Sequence, residues 1–210
     1  MLSLNEILEI SAARHNHLCP RQVLGARIGL AGAQALGLEI PRSDKRLIVI
    51  LETDGCFADG VEAATGCTVG HRTLRVEDYG KIAATFVNSK TGQSVRIAPV
   101  LDVRKRVNAY AAGEKRHYFT QLAAYQVMLD VELLSIQEVS LTSPVDALVG
   151  RPGVRVNCEL CGEEIINERQ VMQEGMILCR ACAGSAYYQS SPIEIHLPAL
   201  SLVRLPEREL

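Results

Sequence analysis

Two Cys-x-x-Cys pairs are the clearest chemical signal in the chain. They hold four of its seven cysteines, Cys158, Cys161, Cys179 and Cys182, within the stretches NCELCG and LCRACA. This spacing lets four thiolates converge tetrahedrally on one Zn²⁺, and four thiolates leave no open position for a substrate. The alternatives are two redox dithiols or unrelated cysteines, but paired cysteines in a reducing compartment indicate metal ligation more than disulfides. The sequence therefore predicts a structural zinc site.

The segment around these pairs, residues 154–184, is predicted to be a small zinc ribbon. It is too short to bury a core of its own, so the metal is expected to supply its stability. Glutamates stand near the first pair at positions 159, 163, 164 and 168, and their charge disfavours a surface that faces nucleic-acid phosphates. We therefore expect the ribbon to make a protein interface or a dimer contact.

A second cluster, HNHLCP at residues 15–20, brings two of the five histidines close to a cysteine. If the stretch is extended, His15, His17 and Cys19 point to one side; if it is helical, His15 and Cys19 pair without His17. Pro20 favours an extended residue before it, so the first geometry is preferred. Cys19 then stands at a helix N-terminus, where the helix dipole favours a thiolate. The stretch predicts a second metal or thiol site; the alternative is a chance cluster.

A further cysteine, Cys56, follows the apolar run RLIVILET within the tripeptide DGC. Residues at the ends of buried strands are common places for functional sites in mixed α and β folds. Cys56 is therefore a candidate fourth soft ligand or a reactive thiol, and together with Cys19 it is a candidate catalytic group. The alternative is a buried cysteine that packs as a small hydrophobe.

Hydrophobic spacing predicts an α+β core domain in which helices pack on a sheet. Ser3 and Glu6 have the spacing of a helix capping box. The predicted helices cover residues 4–13, 20–37, 58–64 and most of 101–134, and the predicted strands cover 46–53, a hairpin around 88–92 and SIQEVSL at 135–141. Many small residues in the second helix would allow close packing against a sheet or a partner.

The chain is expected to divide into four parts. Residues 1–141 form the core domain, and residues 142–153, rich in Pro and Gly, form a linker. The zinc ribbon follows at 154–184. The remaining tail, 185–210, can add one more strand to a core domain.

Composition excludes several classes of protein. The chain has 210 residues, of which 48% are hydrophobic and 22% charged, and its formal net charge is -2. This profile is typical of a globular protein with a real core, and it offers no positive field for bulk nucleic-acid binding. The absence of a long apolar run and the acidic N-terminal stretch MLSLNEILEI disfavour a membrane span and a secretory signal, so a cytoplasmic location is expected.

Three blocks carry a resemblance to a known family. The stretches HNHLCPRQVLGARIG, ETDGCFADGVEAATGCTVG and DYGKIAATFVNSKTGQSVRI, which span most of residues 11–100, resemble the FmdE-like family, named for a component of formylmethanofuran dehydrogenase. The Cys-x-x-Cys pairs resemble the zinc-ribbon tail of many members. The resemblance implies an α+β core that dimerises, a zinc module that packs against or exchanges with the partner, and a His/Cys pocket as a candidate metal site.

Carried over by position, that pocket consists of His15, His17, Cys19 and Cys56. Asp59 and Cys67 lie in the neighbouring block. The chain departs from the usual pattern at Asn16, where glycine is common, and at Arg21, where glycine is common after the proline. Neither change removes a candidate ligand, but Arg21 could alter access or charge at the mouth of the pocket.

Two functional hypotheses follow. The first is a metal-binding accessory protein whose mixed imidazole and thiolate site takes zinc or another thiophilic divalent ion and leaves a coordination position open. The second is a non-catalytic adaptor or subunit that docks a partner through its zinc ribbon, such as a molybdenum or tungsten enzyme. Whether the chain catalyses any reaction is not decided by its sequence. Neither a catalytic triad nor a phosphate-binding loop is apparent, and regulation of nucleic acid is the least favoured alternative.

Most of the remaining polar residues are expected to lie on the surface of the protein. His71 is expected to be a solvated turn histidine and Lys81 a surface lysine. The basic stretches RKR at 104–106 and KRH at 115–117 form a basic zone on the predicted helices. Such runs are usually solvated faces, and the alternative for this zone is an anion-binding site.

Overall fold

A computed structural model describes residues 2–111, 113–150 and 153–189 of the chain, and at His15 it describes the backbone alone. The chain divides into two compact units, Met1–Gly150 and Arg151–Leu210, which we call the core unit and the ribbon unit. Within the described ranges, no helix combines the length and apolarity that crossing a membrane requires.

The core unit contains seven α-helices and five strands in its described residues. The helices are α1 (Leu4–His15), α2 (Pro20–Ala35), α3 (Cys56–Thr65), α4 (Val103–Arg106), α5 (His117–Val127), α6 (Asp130–Leu133) and α7 (Val145–Val149), with a 3₁₀ turn at Val107–Ala109. The strands are β1 (Leu47–Leu51), β2 (Leu74–Val76), β3 (Ala84–Asn88), β4 (Ser94–Pro99) and β5 (Leu134–Glu138).

The strands form one sheet in the order β2-β1-β3-β4-β5. The β1–β2 pair is parallel, and the pairs β1–β3, β3–β4 and β4–β5 are antiparallel. Helix α2 packs along α3 and also contacts β3 and β4. A mixed sheet covered by helices confirms the predicted α+β class, and the predicted hairpin is the β3–β4 pair.

Local sequence explains why helix α1 and strand β1 form. In α1, the hydroxyl of Ser3 accepts from the backbone N–H of Glu6 at 3.3 Å, and the Glu6 carboxylate accepts from the backbone N–H of Ser3 at 2.7 Å. The capping box is therefore confirmed. Strand β1 is β-branched and apolar, and its residues are buried except for a partly exposed Ile50, as expected of a central strand that is covered on both faces.

Glycines set the distance between α2 and α3. A Cβ atom added at Gly25 would lie 2.3 Å from the carbonyl oxygen of Phe57, and one added at Gly60 would lie 2.2 Å from the carbonyl oxygen of Gln22. Real Cβ atoms do not approach backbone this closely, so the two helices meet backbone to backbone. The small residues of α2 thus serve packing against α3 and, at Gly32, against the ring of Phe86 in β3.

Some boundaries differ from those expected. The α7 helix occupies part of the range expected as a linker, and the division between units falls after Gly150. The predicted helical range 101–134 contains three separate helices because turns interrupt it around Tyr110 and Leu129. The predicted strand in the tail lies outside the described residues.

The described part of the ribbon unit, residues 153–189, contains two short hairpins followed by a helical turn. Its strands are β6 (Arg155–Asn157), β7 (Glu164–Ile166), β8 (Val171–Gln173) and β9 (Met176–Leu178), and β6 pairs with β7 as β8 does with β9. Its buried core in the described residues is limited to Cys158, Ile165 and Leu178. So small a core indicates that another interaction must stabilise the unit.

Candidate functional site

The thiols of Cys19 and Cys56 meet where two helices begin. Cys19 is the extended N-cap residue of α2, as predicted from Pro20, and Cys56 is the first residue of α3. Gly55, with φ of 70°, turns the chain into α3. Because α2 and α3 are in backbone contact further along, their N-termini are held together. Both cysteines carry reduced thiols.

Contact between the two thiols affects the ionisation of Cys56. The pKa of Cys56 is raised above its ordinary value, first because burial disfavours the thiolate and then because of a hydrogen bond with Cys19. The nearby Arg21 opposes this effect. Cys19 itself is 7% exposed, whereas Cys56 is half-buried. Two thiols in contact at a partly open position are suited to soft-metal ligation or thiol chemistry.

A buried glutamine fixes the position of Cys19. The side-chain oxygen of Gln22 accepts from the backbone N–H of Cys19 at 2.7 Å, and its amide nitrogen donates to the carbonyl oxygen of Ser11 at 3.0 Å. Gln22 thereby ties the start of α2 to the last turns of α1. Sequence reasoning missed this residue, although a glutamine at the third position of a helix is a recognisable capping signal.

Cys19 and Cys56 lie in the wall of a cavity of about 660 Å³ in the core unit. Its polar lining comes from α2, α3, α4, α5 and the loop before α2, and it comprises His17, Cys19, Arg21, Cys56, Arg104, His117, Tyr118, Gln121 and Tyr125. The volume is in the range of small-molecule sites. The structure therefore brings three of the four predicted pocket residues to one cavity.

The preferred geometry of the HNHLC stretch is wrong at its start. Helix α1 continues through His15 and ends at Asn16, which adopts a left-handed conformation with φ of 57°. Asparagine tolerates this conformation at the end of a helix, so His15 belongs to α1 and is not extended as predicted. The side chain of His15 lies outside the described residues, and its predicted role as a ligand stays a prediction.

Other candidates lie away from the cavity wall. Cys67 is fully buried, its pKa is raised chiefly by burial, and its sulfur donates to the carbonyl oxygen of Leu47 at 3.6 Å. His71 is exposed, and its Nδ1 lies 3.0 Å from the Thr68 hydroxyl within a turn. The Lys81 ammonium lies 5.8 Å from the centre of the Tyr79 ring. Asp59, on α3, is also not among the residues that line the cavity.

Sequence reasoning did not place the α4 and α5 residues at the site. The Tyr118 hydroxyl donates to the carbonyl oxygen of Leu18 at 3.2 Å, which ties α5 to the loop before Cys19. The amide nitrogen of Gln121 lies 2.8 Å from Nε2 of His117. The pKa of Tyr118 is raised by burial and by the two cavity cysteines. His117 and Arg104 belong to the basic zone interpreted as a solvated face, and proximity in sequence gave no sign that they face Cys19.

The four cysteines of the ribbon unit form a second cluster. Their ligand atoms all lie within 4.8 Å of one another, and the sulfurs of Cys161 and Cys179 are 4.0 Å apart. Around tetrahedral Zn²⁺, sulfurs at about 2.3 Å from the metal stand about 3.8 Å from each other. Backbone N–H groups of Cys179 and Cys182 point at the sulfurs of Cys158 and Cys179 at 3.3 and 3.4 Å. The residues present fit a tetrahedral thiolate-bound metal.

Charge within this cluster is uneven. Backbone N–H groups, first that of Cys161 and then that of Cys179, lower the pKa of Cys158 to about 6. Hydrogen bonding to Cys179, burial and the other cysteines raise the pKa of Cys182 to about 12. In the metal-free cluster Cys158 therefore loses its proton more readily than Cys182. A metal bound by all four sulfurs must displace the proton of Cys182.

Comparisons with known proteins show similarity over most of the chain. A family model described as FmdE, molybdenum formylmethanofuran dehydrogenase operon, matches residues 14–138. A crystal structure of an FmdE-like protein of tungsten formylmethanofuran dehydrogenase, from Syntrophus aciditrophicus, superposes with a TM-score of 0.55 at 21% identity, covering 90% of this chain and 96% of that one. At this identity the match shows the fold.

A curated relative is longer than this chain. It is described as a probable S-adenosyl-L-methionine-binding protein from Archaeoglobus fulgidus, and it is 30% identical over 197 residues, which cover 82% of this chain and 51% of that protein. The chain thus spans about half the length of this relative. The family model, in contrast, covers more than half of the chain and includes the cavity cysteines. The chain belongs to the FmdE family.

Proposed function

We propose that this protein is a metal-binding accessory protein with two sites. The core cavity binds a thiophilic divalent ion, such as zinc, through His17, Cys19 and Cys56, and the ribbon unit holds a structural zinc through its four cysteines. The observation that carries the proposal is the contact between the thiols of Cys19 and Cys56 in the wall of a cavity that His17 also lines.

The core site has the chemistry of an open metal centre. One imidazole and two thiolates are a donor set that zinc, iron and nickel accept, and three protein ligands leave a position for water or a substrate. His15 would then be a further ligand or would orient His17 through a hydrogen bond. If a reaction takes place here, Cys19 and Cys56 are the candidate catalytic groups, because their thiols face the cavity.

Elemental analysis tests the core site. We expect two metal ions per chain in the wild type and one in both Cys19→Ser and Cys56→Ser, because a hydroxyl is a poor substitute for a thiolate on a soft ion. Cys67→Ser is the matched control. It makes the same replacement in the same unit at a residue outside the cavity wall, and it should keep both ions.

An unchanged metal content in the cavity variant would contradict the proposal. If Cys19→Ser binds as many ions as the wild type, the core cavity is not a metal site, and a pocket that uses its thiols alone becomes the better interpretation. Circular dichroism on the same samples separates loss of a ligand from loss of the fold.

A second candidate function is an adaptor that docks a partner through the ribbon unit. The observation that favours it is a set of exposed large apolar side chains on this unit, where Leu160 is 70% exposed, Met172 64% and Tyr187 97%. Exposed apolar side chains are typical of interaction surfaces where they form one contiguous patch. Given the family, a molybdenum or tungsten formylmethanofuran dehydrogenase is the proposed partner.

Mixing the purified chain with such a dehydrogenase tests the adaptor function. We expect co-elution on size-exclusion chromatography, and loss of that complex with the double variant Leu160→Ser, Tyr187→Ser, since both side chains are exposed and outside the cysteine cluster. Lys105→Gln, a surface change in the core unit, is the control. A complex that survives the double variant would contradict docking through the ribbon.

A homodimer is also part of the proposal. Strand β5 is an edge of the sheet, and large apolar residues near it are exposed, with Ile136 at 54%, Leu129 at 64% and Val131 at 81%. These residues offer an apolar surface that a second copy could cover. A cytoplasmic location is proposed as well, in keeping with the lack of disulfide bonds among the described cysteines.

A further inference from the structure

The core cavity carries positive charge without a matching negative charge. Arg21, at the start of α2, and Arg104, in α4, both line it. Among the described residues, neither arginine takes part in a salt bridge, whereas Arg106 pairs with Asp102 at 2.9 Å and Arg27 pairs with Asp130 at 2.6 Å. No aspartate or glutamate is found among the described residues that line the cavity.

We propose that the cavity binds a small organic anion, with a carboxylate or phosphate group held by Arg21 and Arg104 and an apolar body against the apolar residues of the lining. The inference rests on the proposed function, since it names the class of ligand that is brought to the metal and thiols of Cys19 and Cys56. Guanidinium groups pair with both kinds of anion through two parallel hydrogen bonds, which makes the charge and planarity of the ligand group the features that are recognised.

The two arginines come from different elements of the core unit. Arg21 belongs to α2, two residues after Cys19, and Arg104 belongs to α4, and both line the cavity that Cys19 and Cys56 also line. The amide of Gln121 and the ring of His117, which lie 2.8 Å apart, belong to the same lining. An anion held by the arginines would therefore share the cavity with further polar groups and with the two thiols.

The rest of the wall suits an organic body. Leu24, Ile82, Leu101 and Val103 line the cavity together with two prolines. A free inorganic ion would leave this apolar surface uncovered, whereas an anion with an aliphatic or aromatic part would bury it. The volume of about 660 Å³ accommodates a ligand of this size.

Calorimetric titration of the metal-loaded full chain, after removal of free metal, tests the inference. The probes are phenyl phosphate and benzoate, with benzamide as the neutral analogue of benzoate. We expect the anions to bind and benzamide to bind at least about tenfold more weakly, and we expect Arg21→Gln and Arg104→Gln each to weaken anion binding about tenfold. Lys105→Gln removes one positive charge from the same helix as Arg104 but from outside the cavity wall, and it should leave binding unchanged. The tighter of the two anions identifies the ligand group.

The outcomes separate this inference from the proposed function because the metal content of each sample is measured as well. If the two arginine variants keep both metal ions and the wild-type fold but lose anion binding, the inference is supported. If anions bind no better than benzamide to the two-metal protein, the inference is overturned and the metal site stands. Equal weakening by Lys105→Gln and Arg104→Gln would also overturn it, since a general surface field would then explain the binding. Arginine-dependent anion binding to a protein with no core metal supports the anion site and contradicts the metal site.

Discussion

Gly60→Ala is expected to pull apart the two thiols of the core cavity and to abolish metal binding there, although Gly60 does not line the cavity. A Cβ atom at this position would lie 2.2 Å from the carbonyl oxygen of Gln22 and 2.9 Å from the backbone nitrogen of Ala26. These contacts are with backbone, so α2 must move as a whole. Gln22 also holds Cys19 through its side chain, and a shift of its backbone therefore moves a ligand.

The Gly60→Ala substitution is expected to lower both the stability of the core unit and its metal content. Overpacking a close contact between elements typically costs about 1–3 kcal/mol, and a contact of backbone with backbone belongs at the upper end. We expect a clear drop in the unfolding temperature of the core unit and the loss of one of two bound metal ions. Thermal unfolding and elemental analysis of the same preparation measure the two effects.

Gly70→Ala is the matched control. An added Cβ at Gly70 meets no atom within 4 Å, so stability and metal content should remain those of the wild type. If Gly60→Ala also keeps two ions and the wild-type unfolding temperature, then the close approach of α2 and α3 does not position the site, and the core site must depend on other contacts.

The packing of α2 against α3 could be predicted only in part from the sequence. The small residues of α2 predicted a close approach to a sheet or a partner, and the approach exists, but the sequence does not say that Gly25 and Gly60 meet on neighbouring helices. Glycine is small in every context, and its packing partner is a property of the tertiary fold. Strand β1 and the β3–β4 hairpin were predictable because their signals, β-branched runs and turn residues, are local.

The residues of the candidate site could also be predicted only in part from the sequence. Cys19 and Cys56 could be predicted from local signals, because Cys19 precedes a helix that begins with proline and Cys56 follows the end of a strand. The contributions of Arg104, His117 and Tyr118 could not, because polar residues on helices are interpreted as solvated until the fold places them in the same cavity lining as Cys19. The HNHLC geometry failed at Asn16, where a single left-handed residue changes the direction of the chain.

Cys179→Ser is expected to unfold the ribbon unit and leave the core unit folded. The described ribbon has strands of three residues each and a buried core of Cys158, Ile165 and Leu178, which is too little apolar surface to offset the conformational entropy of ordering the segment. In small zinc modules the metal supplies on the order of 10 kcal/mol of folding free energy. Loss of one thiolate should therefore remove both the zinc and the structure.

Leu160→Ser is the control for this prediction, because it changes an exposed residue between two of the ligands and should retain the metal. Elemental analysis should show one ion fewer per chain in Cys179→Ser, and limited proteolysis should cleave within residues 154–189 while residues 4–138 stay protected. The unfolding temperature of the core unit should not change, since its hydrophobic cluster contains no ribbon residue. A protease-resistant, zinc-free Cys179→Ser ribbon would contradict the prediction, because the small apolar core would then suffice to hold the unit together without its metal.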